Sequence, residues 1–276
     1  RSLVGSEMCI RDSPQYLSAK KKLGFDKHTQ SVMKAIVVKE GNRNIINEAF
    51  RVLRSNIDFM AGKDSGQNVF MLTSFNPGSG KSFLAMNIAM SFAIKKKRIL
   101  VIDGDLRHGS TSSYVDSPKT GLSDYLGNRV SDWKEIIVKD EKYDNLHIIP
   151  IGTVPPNPTE LLEDGKLATL IEVLRSEYDY IFIDCPPIDI VADAQIIEKL
   201  ADRTVFVVRS GLLDRSMLPE LENIYQEKRF KNLSVILNGT ESAGGRYGYR
   251  YGYRNGYSSY YGNKGKMGGG KWMVIK

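Results

Sequence analysis

The chain has 276 residues, 41% of them hydrophobic, and a formal charge of +7, which supports one sizeable globular domain with flanking segments rather than an array of domains. Seven basic residues (Arg246, Arg250, Arg254, Lys264, Lys266, Lys271 and Lys276) follow Ser242 with no acid among them, so the globular part is near neutral and any acidic partner is a matter for the tail. Two distant cysteines, Cys9 and Cys185, exclude a disulfide framework and fit a reducing, cytoplasmic compartment, and no apolar run approaches the roughly 18 to 20 residues that a bilayer crossing needs.

The opening RSLVGSEMCIRDS (1–13) is neither a signal peptide nor a helix pattern; it resembles translated adaptor sequence and is set aside from the fold. Residues 1–30 as a whole read as a polar linker carrying the lysine run Lys20 to Lys22. From residue 31 to 241 the pattern is that of a single domain. Helical spacing predicts a helix over Ile45 to Met60, followed by a strand at Val69 to Thr73, a helix at Lys81 to Lys95 and a strand at Ile99 to Ile102. A further strand is expected at Leu146 to Ile149, then a helix over Thr159 to Glu177 and a strand at Tyr180 to Ile183. The domain closes with a helix at Asp193 to Leu200, a strand at Thr204 to Val208, a helix at Asp214 to Lys228 and a strand at Leu233 to Leu237. Most of these strands lack period-two alternation, as expected when both faces are covered. Strand and helix in repeated alternation predict an α/β fold with a mostly parallel central sheet flanked by helices. From about 242 to 276 the composition turns to Tyr, Gly and Arg and predicts a disordered tail.

The stretch VFMLTSFNPGSGKSFLAMNIAMSFA carries the strongest chemical signal. A buried strand runs into a glycine loop and then a helix, the arrangement of a P-loop NTPase. The backbone amides of Gly78, Ser79, Gly80, Lys81, Ser82 and Phe83 are placed to cradle the phosphates of ATP at a helix N-terminus. Lys81 is expected to neutralise the β- and γ-phosphates and the Ser82 hydroxyl to coordinate Mg²⁺. The pattern G-x-x-x-x-G-K-[ST] departs from the usual form at one position, where Phe75 replaces the first glycine. Two other strand ends carry acids: Asp103 and Asp105, with Arg107 two residues on, and Asp184. Ligand crevices in open α/β sheets lie at the carboxyl ends of the strands, so these acids are expected to converge on the metal and the γ-phosphate near Ser82. The competing reading is that they cap turns, as Asp does at strand ends. Arg107 is open between a phosphate ligand and a partner for a nearby acid, and Cys185 reads as a small space-filler.

In combination these motifs resemble the bacterial tyrosine kinase (BY-kinase) family of capsule and exopolysaccharide export, over roughly residues 31 to 261. The resemblance rests on the glycine loop, the D-x-D-x-R strand end (Asp103, Asp105, Arg107) and the D-x-P-P end (Asp184, Pro186, Pro187). It also includes PPNPTELL (Pro155 to Leu162), the helix pattern E-x-x-R-x-x-R (Glu48, Arg51, Arg54) and the terminal tyrosine cluster. It implies an ATP- and Mg²⁺-dependent protein-tyrosine autokinase, with Lys81, Asp103, Asp105 and Asp184 as catalytic residues and Ser82, Asp103 and Asp184 toward the metal. It further implies that Asn238 reaches the adenine. By chemistry alone Glu48, Arg51 and Arg54 read as a solvated helix flank with a weak ion pair; the resemblance places them between the subunits of a homo-oligomeric ring. The family also implies a membrane-anchored chain-length or activator domain in cis or in trans, a tyrosine phosphatase, and residence at the cytoplasmic face of the bacterial inner membrane.

The tail holds Tyr247, Tyr249, Tyr251, Tyr253, Tyr257, Tyr260 and Tyr261 spaced by glycine and arginine. Alone, such a segment is open between nonspecific low complexity and a nucleic-acid module, with bases stacking on phenols, and the latter is a strong contender. Attached to a kinase it reads as the phosphoacceptor of neighbouring subunits, with no nucleic acid expected. The alternative function is a septum-site or partition-type ATPase switch; those proteins carry an extra lysine early in the loop, where this chain has Phe75, Asn76 and Pro77.

Overall fold

The computed structural model describes residues 36–62, 66–188, 192–241 and 270–275. Among these, eight strands form one sheet in the order β3-β4-β2-β5-β1-β6-β7-β8: β1 (Val69–Thr73), β2 (Ile99–Asp103), β3 (Val138–Lys139), β4 (Leu146–Ile149), β5 (Tyr180–Asp184), β6 (Arg203–Arg209), β7 (Ser234–Glu241) and β8 (Gly270–Ile275). The six strands from β4 to β7 are mutually parallel, while β3 and β8 are antiparallel edges. Every residue of β1, β2 and β5 is buried, which is why their sequences run apolar without alternation.

Two helical layers cover the sheet. On one face lie α1 (Ile45–Ala61) and α2 (Lys81–Ala93). Ala49, Phe50, Leu53 and Ile57 of α1 are buried there, in one cluster with Leu84, Ile88 and Phe92 of α2. The other face is covered by α3 (Leu122–Leu126), α4 (Pro158–Glu163), α5 (Lys166–Glu177), α6 (Asp193–Glu198) and α7 (Leu218–Gln226), through Leu122, Leu162, Leu170, Leu174, Ile197 and Ile224. The helix expected over Thr159 to Glu177 is two helices, α4 and α5. Gly165 stands between them in a left-handed conformation (φ +81°) as the N-cap of α5, a backbone state that ends one helix and starts the next. The predicted helix over Asp214 to Lys228 begins as a 3-10 turn, Arg215–Met217, and becomes α-helical only where Pro219 opens α7. Helix α3 and strand β3 are too short for any periodicity to reveal.

Within the segment 242–276, the strand Gly270–Ile275 pairs antiparallel with β7. Its Trp272 to Ile275 run is β-favouring, and composition averaged over the whole tail conceals it. The tyrosine cluster itself lies outside the described residues.

The chain enters the domain across α2 through one buried side chain. Asn87 Oδ1 accepts from Val37 N (2.8 Å) and Val38 N (3.2 Å), and Asn87 Nδ2 donates to Phe83 O (2.9 Å). Asn47 Oδ1 takes the next amide, Lys39 N, at 2.8 Å. A buried amide left without an acceptor loses its full desolvation compensation. Asn87→Leu is therefore expected to destabilise the domain by about 1–3 kcal/mol, read as a lower urea midpoint at unchanged slope.

Candidate active site

The glycine loop links β1 to α2 at the carboxyl edge of the sheet. Gly78 (φ +73°) and Gly80 (φ +95°) both adopt left-handed backbone, the curl that turns consecutive amides inward. Phe75, at the position where the loop pattern expects glycine, is buried edge-to-face on Phe206 with ring centroids 4.8 Å apart. Here the loop entrance is an apolar plug rather than a flexible hinge. Two side chains from neighbouring strands hold the loop's carbonyls outward. Asn238 Nδ2 donates to Ser79 O (2.7 Å) and Arg209 Nη1 to Gly78 O (2.6 Å), and Arg209 and Asn238 are register partners on β6 and β7. The hydroxyls of Ser74 and Ser79 both donate to Asn76 O, each at 2.8 Å.

Helix α2 begins without a side-chain cap and with no acid in its first turn, which leaves the positive end of its dipole for an anion from outside. Lys81 is buried, its Nζ donating to Ser74 Oγ at 3.1 Å. Burial lowers its pKa, opposed by the charges of Asp184 and Asp105. The ring of Phe83 packs against Phe50, so this residue can meet a phosphate only through its backbone.

Opposite the loop, Asp103 and Asp184 end β2 and β5 as direct register partners. Both are buried. Asp103 Oδ2 accepts from Ser112 N (2.6 Å) and Ser112 Oγ (2.7 Å), and Asp184 Oδ2 accepts from Thr111 Oγ1 (2.7 Å). The second oxygen of each carboxylate is buried without a hydrogen-bond partner. Burial, reinforced by the neighbouring Asp184, pushes the Asp103 carboxyl up to about 8 against the hydrogen bonds from Ser112. Burial likewise raises Asp184, against the Ser82 hydroxyl, the Lys81 ammonium and Thr111. Two adjoining buried acids with orphaned oxygens are an environment that a cation would relieve. Ser82, Asp103 and Asp184 thus fit a Mg²⁺ site on their donor chemistry. Among the described residues no group of three or more His, Cys, Asp or Glu could hold a metal alone.

The remaining predicted residues divide. Asp105 closes its own turn, its Oδ1 accepting from Arg107 N and His108 N at 3.2 Å and lying 3.3 Å from His108 Nδ1; this is the turn-capping alternative, although its charge still reaches Lys81. Arg107, left open between phosphate and acid, is held by an acid. Its Nε donates to Asp193 Oδ2 (3.1 Å) and its Nη2 to Thr159 Oγ1 (3.0 Å). Cys185 is buried, with burial raising its thiol pKa, as a space-filler should be. Arg209, Thr111 and Ser112 were not expected: they stand outside the glycine-loop and acid-strand motifs, and only strand order and loop path bring them in.

Glu48, Arg51 and Arg54 lie elsewhere. Glu48 and Arg51 form an ion pair along α1, Arg51 Nη2 donates to Asn42 O (2.6 Å), and Arg54 Nη1 donates to Ser91 O (2.7 Å) near the end of α2. Ser91 is ten residues beyond Lys81, about 15 Å along the helix axis.

Comparison with known proteins gives a consistent result. Residues 67–213 match the family model of the AAA domain. The chain is similar to the tyrosine-protein kinase YwqD of Bacillus subtilis (strain 168), with 34% identity over 75% of this chain and 87% of the relative. It is similar to the tyrosine-protein kinase CpsD of Streptococcus pneumoniae, with 34% identity over 79% of this chain and 92% of the relative. Among solved structures it resembles the kinase domain of the Escherichia coli tyrosine kinase ETK, with a TM-score of 0.68, 29% identity, and coverage of 80% of this chain and 84% of that one.

The Arg107 pairing can be checked directly. Asp193 is fully buried, so Arg107→Ala removes the cation from a buried carboxylate and should destabilise the fold by on the order of 3 kcal/mol. ADP affinity measured by calorimetry on the folded variant should stay unchanged.

Proposed function

Because the chain belongs to the bacterial tyrosine kinase family, we propose that it transfers the γ-phosphoryl group of ATP to the tyrosine cluster of neighbouring copies of itself, and so regulates capsular or exopolysaccharide polymerisation and export. The observation that carries this reading is the meeting of a curled glycine loop and buried Lys81 with the in-register acids Asp103 and Asp184. Phosphoryl transfer asks mainly for positioning and charge neutralisation. The loop amides, the α2 N-terminus and Lys81 would bind and neutralise the substrate's phosphates. Asn238, whose Nδ2 is committed to Ser79 O, keeps its Oδ1 for the exocyclic amine of an adenine. Ser82, Asp103 and Asp184 would hold Mg²⁺, which when bound spreads the negative charge of the phosphates. A phenol with a pKa near about 10 is a poor nucleophile at neutral pH, and a carboxylate of this pair would orient it and accept its proton. Asp105 adds negative charge opposite Lys81.

The acceptors on this reading are Tyr247, Tyr249, Tyr251, Tyr253, Tyr257, Tyr260 and Tyr261. Each phosphate brings about −1.5 to −2 charges, so a handful would reverse the sign of a tail with seven basic residues. We assign the Glu48, Arg51 and Arg54 face of α1 to a ring of copies that unphosphorylated tails favour and phosphorylated tails release. A membrane-anchored activator, in cis or in trans at the cytoplasmic face of the inner membrane, and an opposing tyrosine phosphatase complete the cycle.

Lys81→Met should lower tyrosine labelling from radiolabelled ATP by on the order of 10²-fold or more, the loss typical of one preorganised donor to developing charge. Mass spectrometry of the wild type after Mg-ATP should place phosphate on the tail tyrosines; release of ADP without labelled tyrosine would instead identify a plain ATPase. Charge reversal at Arg51 and Arg54 should lower the oligomer mass in light scattering while the monomer stays folded, and an unchanged mass would remove the ring assignment.

A further inference from the structure

We propose that Thr111 and Ser112 are positioning residues that lock the two acids of the site, each fixing one carboxylate oxygen so that the other faces the metal and the reacting phosphoryl group. This rests on the reading of Asp103 and Asp184 as the residues that serve Mg²⁺ and the phenol. A carboxylate's terminal torsion is soft, because rotation about an sp³–sp² bond has broad minima. On its own each acid could turn either oxygen, or the edge between them, toward the crevice.

The structure removes that freedom with two consecutive residues. Ser112 gives Asp103 Oδ2 both its backbone amide, at 2.6 Å, and its hydroxyl, at 2.7 Å. The Ser112 hydroxyl in turn accepts from Ile151 N at 2.8 Å. A hydroxyl has a single proton, so with its acceptor side occupied by that amide its donor side is committed to Asp103. Thr111 Oγ1 donates to Asp184 Oδ2 at 2.7 Å. Both residues are themselves buried, Thr111 at 0% and Ser112 at 1% exposure, so water does not compete for these bonds.

What separates this arrangement from ordinary satisfaction of buried polar groups is the remainder. Asp103 Oδ1 and Asp184 Oδ1 are both buried and make no hydrogen bond of ordinary geometry, although the Ser82 hydroxyl is near enough to Asp184 to favour its charged form. A network that served only the fold would not leave one oxygen of each of two neighbouring buried carboxyls without a partner. The orphaned pair is the functional end, and one turn of chain sets the aim of both acids at once. Supporting partners of this kind typically change metal affinity or activity by about 10–100-fold when removed.

The test measures ADP binding to the full chain by calorimetry, with Mg²⁺ and again in EDTA, for the wild type, Thr111→Val, Thr111→Ser and Asp184→Asn. Thr111→Val should lose about 10–100-fold of the Mg²⁺-dependent gain in ADP affinity while the affinity of the folded variant in EDTA stays at the wild-type value, and Thr111→Ser should restore the gain. The proposal is overturned if Thr111→Val keeps the full gain, or if it loses affinity equally in EDTA without rescue by serine. Asp184→Asn separates the two levels. If it abolishes the gain and Thr111→Val does not, the positioning role alone fails; if neither alters it, the assignment of Asp184 to the metal fails. Should Thr111→Val not fold, a crystal of the wild-type chain with ADP and Mg²⁺ decides: Oδ1 of both acids must face the ion with Oδ2 still on Thr111 and Ser112, and the reverse orientation sinks the proposal.

Discussion

Two carboxylates held level with one another on adjacent parallel strands, both out of water, set the terms for everything around them. Register pairing of β2 with β5 places Asp103 beside Asp184, and burial makes their shared charge expensive. Lys81 offsets part of it from across the loop, and hydroxyls and an amide from the Thr111–Ser112 turn offset more. The remainder is left as an unsatisfied demand for positive charge at the edge of the sheet where a triphosphate and its cation would arrive. A site in this condition is built for a ligand, because the fold alone does not complete it.

The same edge shows how backbone polarity is sorted. The loop's amides can face a phosphate only if its carbonyls face elsewhere, and Arg209 and Asn238 take two successive carbonyls from the far side. Phe75 anchors the loop entrance in the apolar core beside Phe206. That explains how the curl survives without the glycine that the usual pattern carries: the conformational freedom needed lies at Gly78 and Gly80, and the entrance position needs only to be held.

Helix α2 joins two different kinds of chemistry. Its first turn, uncapped and buried at Lys81, points at the site. Its last turns receive Arg54 through Ser91 O, and its middle receives the entering chain through Asn87. The α1 face is therefore separated from the phosphate loop by one almost wholly buried helix, and the two share no residue.

Much of this was present in the order of residues. A buried strand running into Gly-Ser-Gly-Lys-Ser and an apolar helix has few alternatives, because glycine takes the left-handed curl without steric cost and a helix start offers free amides, so the cradle and the parallel α/β sheet could be read directly. The acids Asp103 and Asp184 were legible as strand ends. Their contact was not, because the strand order that makes β2 and β5 neighbours is a decision of tertiary packing between segments some eighty residues apart. For the same reason Arg107 stayed ambiguous until Asp193 was beside it, the break at Gly165 was hidden inside an apolar helical rhythm, and Thr111, Ser112 and Arg209 carried no signal at all. Local sequence determined which backbone shapes were possible; long-range packing decided which side chains meet, since hydrogen bonds between distant residues leave no periodicity to find.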